Sequence, residues 1–286
     1  MDTAVRHDDV NGAGGADGAT GTRAAATPPV GIPAPAPVPA DPPAAAAPRG
    51  APRSEVTVHQ ALITRQVEEQ ITARFPVGRR LRVLDVALRD GRQALPLARA
   101  GHEVTGLEPD PALADVVRRA LEAEPAGIRE RTRIVAGDSR STGAHFLPGT
   151  FDVVLCHGVL SPGDEPGPLL AGLGRVLAPG GMLSLVVPNV EAAALRPGLA
   201  GDWEDALARL VPDPGERPLR REALSAALTG MSTPVRQWYG VGVFSDDVPL
   251  PADGEGERRL VVEERAGRTD PYRSVATLLH LCAVRG

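Results

Sequence analysis

Residues 83–110, VLDVALRDGRQALPLARAGHEVTGLEPD, change folding period twice within one short stretch. VLDVA has the apolar run of a buried parallel strand; a turn, a segment with helical spacing and a second apolar run, HEVTGLEP, follow it. One carboxylate leaves the first run at Asp85 and another ends the second at Glu108. Strand, turn, helix and strand in this order open a doubly wound α/β fold, whose ligands bind outside the carboxyl ends of the strands. Glu108 stands roughly 20 residues beyond the turn, the spacing of an acid that grips ribose hydroxyls. The unit therefore predicts a crevice for a nucleoside. Its turn departs from the glycine-rich form, since Ala87 and Arg89 occupy glycine positions and Gly91 remains.

The same alternation continues. TRIVAGD, ending at Asp138, FDVVLCHG and GGMLSLVVPN read as the third to fifth strands, with helices after Asp90, over Pro111–Glu122 and around 168–177. A helix from Ser54 as cap, with Val58, Leu62, Ile63, Val67 and Ile71 on one face, precedes them. Residues 1–53 are Gly/Ala-rich and then Pro/Ala-rich, with too few large apolar side chains to offset the entropy of ordering, and are expected to be a disordered tail. One domain over 54–286 is expected, with a Pro/Gly/Arg-rich insertion around 190–230 covering the site. EALSAALTG then reads as a helix, WYGVGVFSD as a strand, and VATLLHLCAVR as either a strand or a helix followed by a strand.

A net charge of −5 argues against a broad nucleic-acid surface, excludes DNA as the expected partner and favours a small acceptor. Cys156 and Cys282 sit in apolar runs without metal-ligand spacing and are expected to be reduced core residues. No apolar run reaches the ~18 residues of a membrane helix, and the start has no apolar signal core, so a cytoplasmic location is expected.

FDVVLCHGVL, LAPGGMLSLVVPN, GVGVFSD and DPYRSVATLLH, together with the opening unit, resemble the class I S-adenosylmethionine (SAM)-dependent methyltransferases. Residues 82–189 carry the resemblance; within that superfamily the chain is similar to the tRNA 5-carboxymethoxyuridine methyltransferase group over roughly 55–285. The resemblance implies a Rossmann-like, mostly parallel seven-stranded sheet, SAM as methyl donor, no metal, and an acceptor that is a small molecule or a tRNA. It places His59, Asp85, Ala87, Leu88, Gly91, Glu108, Asp138, Ser139 and His157 at the donor.

Physical chemistry supplies roles beside it. Asp85 suits the donor's ammonium or caps the following helix; Glu108, with two acceptor oxygens, suits the ribose hydroxyls or is a loop acid. Asp138, followed by Ser139, suits the adenine amine or closes a turn. His59 stands where the family tends to have an arginine reaching SAM. His157 matches a family position that contacts SAM or satisfies a backbone group, and is the candidate base should the acceptor need one. A carboxylate acceptor arrives ionised and needs none.

The side chains of Ala87, Leu88 and Arg89 must point away from the methionine moiety; two positive φ angles there would cost about 1–2 kcal/mol each. The acceptor pocket is expected from 190–230 and the Trp238–Phe244 region, whose aromatics are pocket walls or, as the favoured reading, packing residues. For a tRNA acceptor Arg196, Arg217, Arg220, Arg221 and Arg236 are expected to share a face with the pocket, the alternative being a solvated scatter. The substituted turn also keeps open a methyltransferase fold without catalysis, serving as a binding module. A non-SAM nucleotide-binding oxidoreductase is disfavoured, because Asp90 at the helix start would repel a pyrophosphate.

Overall fold

The computed structural model describes residues 56–211 and 219–286; the expected tail, Ser54 and Arg217 lie outside them. Helix α1 (Val58–Arg74) is capped by Thr57, whose hydroxyl accepts from the Gln60 N–H at 3.3 Å. Val58, Leu62, Ile63 and Val67 form its buried stripe. The helix ends at Phe75 in extended conformation, as the residue before Pro76 must.

Alternating elements follow: β1 (Arg82–Asp85), α2 (Ala94–Arg99), β2 (Glu103–Glu108), α3 (Pro111–Glu122), α4 (Ala126–Glu130), β3 (Thr132–Ala136), α5 (Thr142–His145), β4 (Phe151–His157), α6 (Pro166–Val176) and β5 (Leu177–Pro188). Short helices α7 (Leu195–Leu199) and α8 (Trp203–Leu210) fill the expected insertion, before α9 (Arg221–Gly230), β6 (Val235–Val241), α10 (Gly254–Ala266) and β7 (Leu278–Val284). VATLLHLCAVR thus resolves into an irregular lead and a single strand.

The sheet runs β3-β2-β1-β4-β5-β7-β6, parallel through β5, with β7 antiparallel to both β5 and β6. It is the seven-stranded, mostly parallel, doubly wound sheet the resemblance implies. Alternate strand residues serve opposite faces, as a period of two demands. Val83, Val153 and Leu155 pack with α1, α2 and α3, whereas Leu84, Val154 and Cys156 pack with α6 and α9. Burial on both faces explains the continuous apolar runs. Cys156 and Cys282 are buried free thiols.

Helix α10 has no counterpart among the expected elements. Its buried positions are Gly256, Leu260, Glu263 and Ala266, so a charged residue and a glycine interrupt the apolar stripe. The signal that could have found it is Asp253, whose carboxylate accepts from the Glu255 and Gly256 N–H groups.

Candidate active site

The carboxyl ends of β1, β2 and β4 meet at a crevice, where the parallel strands' turns leave backbone groups to be satisfied. Asp85 ends β1 at 3% exposure and accepts the Ala87 N–H at 3.1 Å. It has no ion-pair partner among the described residues, and burial with Glu108 nearby raises its pKa to about 6. The helix-capping alternative does not hold: α2 starts nine residues on, behind Gln93, which makes no side-chain cap. Asp85 instead ties the turn.

Glu108, also buried, closes the turn from the other side. One oxygen accepts the Arg89 N–H at 2.7 Å and the other the Asp110 N–H at 3.0 Å. A carboxylate offers about four lone-pair sites, so acceptor capacity remains for two hydroxyls.

The substituted turn is less strained than two left-handed positions would make it. Arg89 has φ 48°, the turn's one non-glycine residue with positive φ, and Gly91 has φ 77°. Leu88 is 2% exposed and occupies the space that a side chain at Gly106 would need. Arg89 reaches outward, its guanidinium donating to the Gly158 carbonyl at 2.9 Å and spanning the gap between the β1 and β4 loops.

Beneath that bridge is a cavity of about 380 Å³ whose walls include His59, Asp85, Ala87, Leu88, Arg89 and His157. Gly91, Glu108, Asp138 and Ser139 stand outside its lining. Asp138 is exposed, accepting from the Arg140 N–H at 3.0 Å and the Ser139 hydroxyl at 3.2 Å; it closes a turn, the plainer of its two readings. His59 is buried, with Nε2 3.1 Å from the Ser245 carbonyl and Nδ1 3.7 Å from Asp247, so both ring nitrogens face the β6–α10 loop. His157 hydrogen-bonds Ser184 at 2.8 Å, and burial lowers its pKa to about 4.

Sequence reasoning missed Thr57, Gln60 and Asp247 in these walls. Asp247 lies far along the chain from β1, and no local pattern announces it. Glu263 of α10 was missed too: its buried carboxylate accepts from the Val243, Phe244 and Ser245 N–H groups at 2.8, 2.9 and 2.5 Å and holds the loop that carries Asp247.

A second cavity, about 730 Å³, shares Pro188 and Leu278 with the first and is walled by α7, α8, Asn189, Asp246 and Thr277. The insertion supplies walls of this second cavity, and no residue of the Trp238–Phe244 region lines it. Trp238 is stacked between Arg221 and Arg273, 4.7 and 3.9 Å from its ring centre, and Phe244 is more than half exposed beside Tyr272. Of the four expected arginines among the described residues, Arg196 lines this cavity and Arg220, Arg221 and Arg236 do not. Arg196 lines the cavity as a strut, donating to the Gly242, Val243, Phe244 and Ser245 carbonyls, while Arg220 pairs with Glu191.

The donor set fits a cationic nucleoside. Asp85 is a buried carboxyl with no direct ion pair among the described residues at a cavity of ligand size, and Glu108 stands at the end of the next strand. When bound, SAM supplies a methyl group on a sulfonium that leaves as a neutral thioether. Asp85 could hold the ammonium of such a donor and Glu108 its ribose, with the cavity walls excluding water along the line of transfer.

The family profile described as "Methyltransferase domain" matches residues 84–185. The chain is 26% identical over 239 residues to a tRNA 5-carboxymethoxyuridine methyltransferase of Escherichia coli O157:H7, covering 79% of this chain and 87% of the relative. It is 31% identical over 187 residues to a ubiquinone biosynthesis O-methyltransferase of Caulobacter sp. (strain K31), covering 61% of this chain and 71% of the relative. Magnesium protoporphyrin IX methyltransferase from Synechocystis PCC 6803 superposes with a TM-score of 0.53 at 17% identity, over 80% of this chain and 84% of that one. Sheet order, paired strand-end carboxylates and these matches together establish that the chain belongs to the class I SAM-dependent methyltransferases.

Proposed function

We propose that this methyltransferase binds SAM with Asp85, Glu108 and the walls of the smaller cavity, and methylates an acceptor carboxylate that enters through the larger one. A modified tRNA nucleoside is the favoured carrier of that carboxylate. The observation behind this reading is the 79% coverage by the relative named tRNA 5-carboxymethoxyuridine methyltransferase. A stretch that long necessarily includes the part of the larger cavity's wall between Pro162 and Arg209.

The chemistry of the wall supports it. His157, with its pKa lowered to about 4, is a poor base, which suits an acceptor that is already ionised at neutral pH. In-line displacement then requires alignment and desolvation rather than proton removal.

Methyl-labelled SAM incubated with the protein and cellular tRNA is expected to give label in the tRNA that mild alkali releases as methanol, the behaviour of a methyl ester. Alkali-stable label would assign an amine or phenol acceptor and overturn the carboxylate.

Donor binding should also follow pH. A cation at Asp85 needs the ionised carboxylate, and its pKa lies near 6 in the free protein. SAM affinity should be level above pH 7 and fall on acidification, reaching about tenfold weaker at pH 5. The stability effect has the opposite sense: because the folded state binds this proton more tightly than the unfolded chain, Asp85 lowers stability as pH rises through 6. Calorimetric titration with SAM across pH 5–8 measures the first, and an affinity independent of pH would remove Asp85 from the donor site.

A further inference from the structure

Four polar side chains run without interruption from the cavity wall into the sheet's α1 face. His157 Nε2 lies 2.8 Å from Ser184 Oγ, Ser184 Oγ lies 2.8 Å from His280 Nε2, and His280 Nδ1 lies 2.7 Å from Gln66 Oε1. Gln66, Ser184 and His280 are fully buried, on α1, β5 and β7.

The polarity of this chain follows from the orientation of the Gln66 amide at its inner end, with Oε1 toward His280. Gln66 Oε1 only accepts, so His280 Nδ1 carries the hydrogen, and in a neutral imidazole the other nitrogen is then an acceptor. Ser184 donates to that acceptor, and Cys282 Sγ, 3.4 Å from the same Nε2, is a second donor aimed at it. With its hydrogen committed, Ser184 Oγ accepts from His157 Nε2–H. The hydrogen of His157 is therefore on Nε2 and the lone pair on Nδ1, which has no partner among the described residues.

Both histidines stay neutral, since burial lowers each pKa. The path is a poor proton wire: it ends at Gln66, whose Nε2 is buried without a partner, and not at solvent or a carboxylate. Its effect is orientation.

We propose that Gln66, His280 and Ser184 are positioning residues that lock His157 in its Nε2–H tautomer, keeping Nδ1 as a neutral acceptor for an N–H or O–H group of the bound methyl donor. This rests on the donor site proposed above. It also accounts for an orphaned amide in the core, because a well-packed apolar residue at position 66 would hold α1 on the sheet without that unmet donor.

Two measurements on the full chain test it. Histidine ¹⁵N spectra of the free protein are expected to show Nε2–H for His157 and Nδ1–H for His280. The Nδ1–H form of His157, or an even mixture, would overturn the lock whatever binds. Titration with S-adenosylhomocysteine, which reports binding without chemistry, is expected to show about tenfold weaker affinity for Ser184→Ala and a several-fold loss for Gln66→Met, with the tautomers of His157 mixed in both. Gln66→Met removes the orphaned amide and so keeps the fold testable if Ser184→Ala unfolds. Unchanged affinity in Gln66→Met with a mixed tautomer would refute the contact while leaving the donor site standing. Absence of binding by the unsubstituted protein would overturn both.

Discussion

Glu108→Ala is expected to weaken SAM binding by about 2–4 kcal/mol, roughly 30- to 1000-fold, because two kinds of charged hydrogen bond go at once. The first are those proposed toward the ribose. The second are the bonds Glu108 receives from the Arg89 and Asp110 N–H groups, which hold the turn over β1 in its binding shape. Without the carboxylate the left-handed backbone of Arg89, at φ 48°, loses the partner that holds it there. Isothermal titration with SAM provides the measurement. Glu108→Gln should lose less, since one carbonyl oxygen survives while the amide faces an N–H donor. An affinity unchanged in Glu108→Ala would exclude Glu108 from the donor site.

Glu263→Ala is expected to cost about 3–5 kcal/mol of stability, because three backbone N–H groups lose one buried acceptor together. For a domain of this size that corresponds to a fall in Tm of roughly 10 °C. The loss has a functional side. Those N–H groups belong to Val243, Phe244 and Ser245, and the loop they form places Ser245 and Asp247 against His59 at the cavity wall. Thermal unfolding of Glu263→Ala, with the KM for SAM at a temperature where it remains folded, should show the drop in Tm and a raised KM. A Tm within a degree or two of the parent would mean the loop finds other acceptors.

These two glutamates mark the boundary of what local patterns reveal. Glu108 was legible because it ends an apolar strand at a fixed distance from a turn, and both features lie within one short segment. Glu263 was not: the helix that carries it has a charged residue where periodicity demands an apolar one, and its partners are on another element. The turn at Ala87–Arg89 shows an intermediate case. Its departure from glycine was visible, but not that Leu88 would pack over Gly106 and that a single residue would take the left-handed conformation. At Trp238 the favoured reading, packing, is the one the structure shows, but not that its partners would be two arginines outside the lining of both cavities.

From the amino-acid order alone came the alternation of strands and helices, the two-faced sheet, and Asp85 and Glu108 at neighbouring strand ends, because a side chain's distance along a strand or helix dictates the face it meets. Tertiary structure alone decided which residues close the site. The His157–Ser184–His280–Gln66 series spans three strands and a helix, and Asp247 meets His59 from 188 residues away. Such meetings are set by how elements pack, and packing leaves no period in the chain from which they could be read.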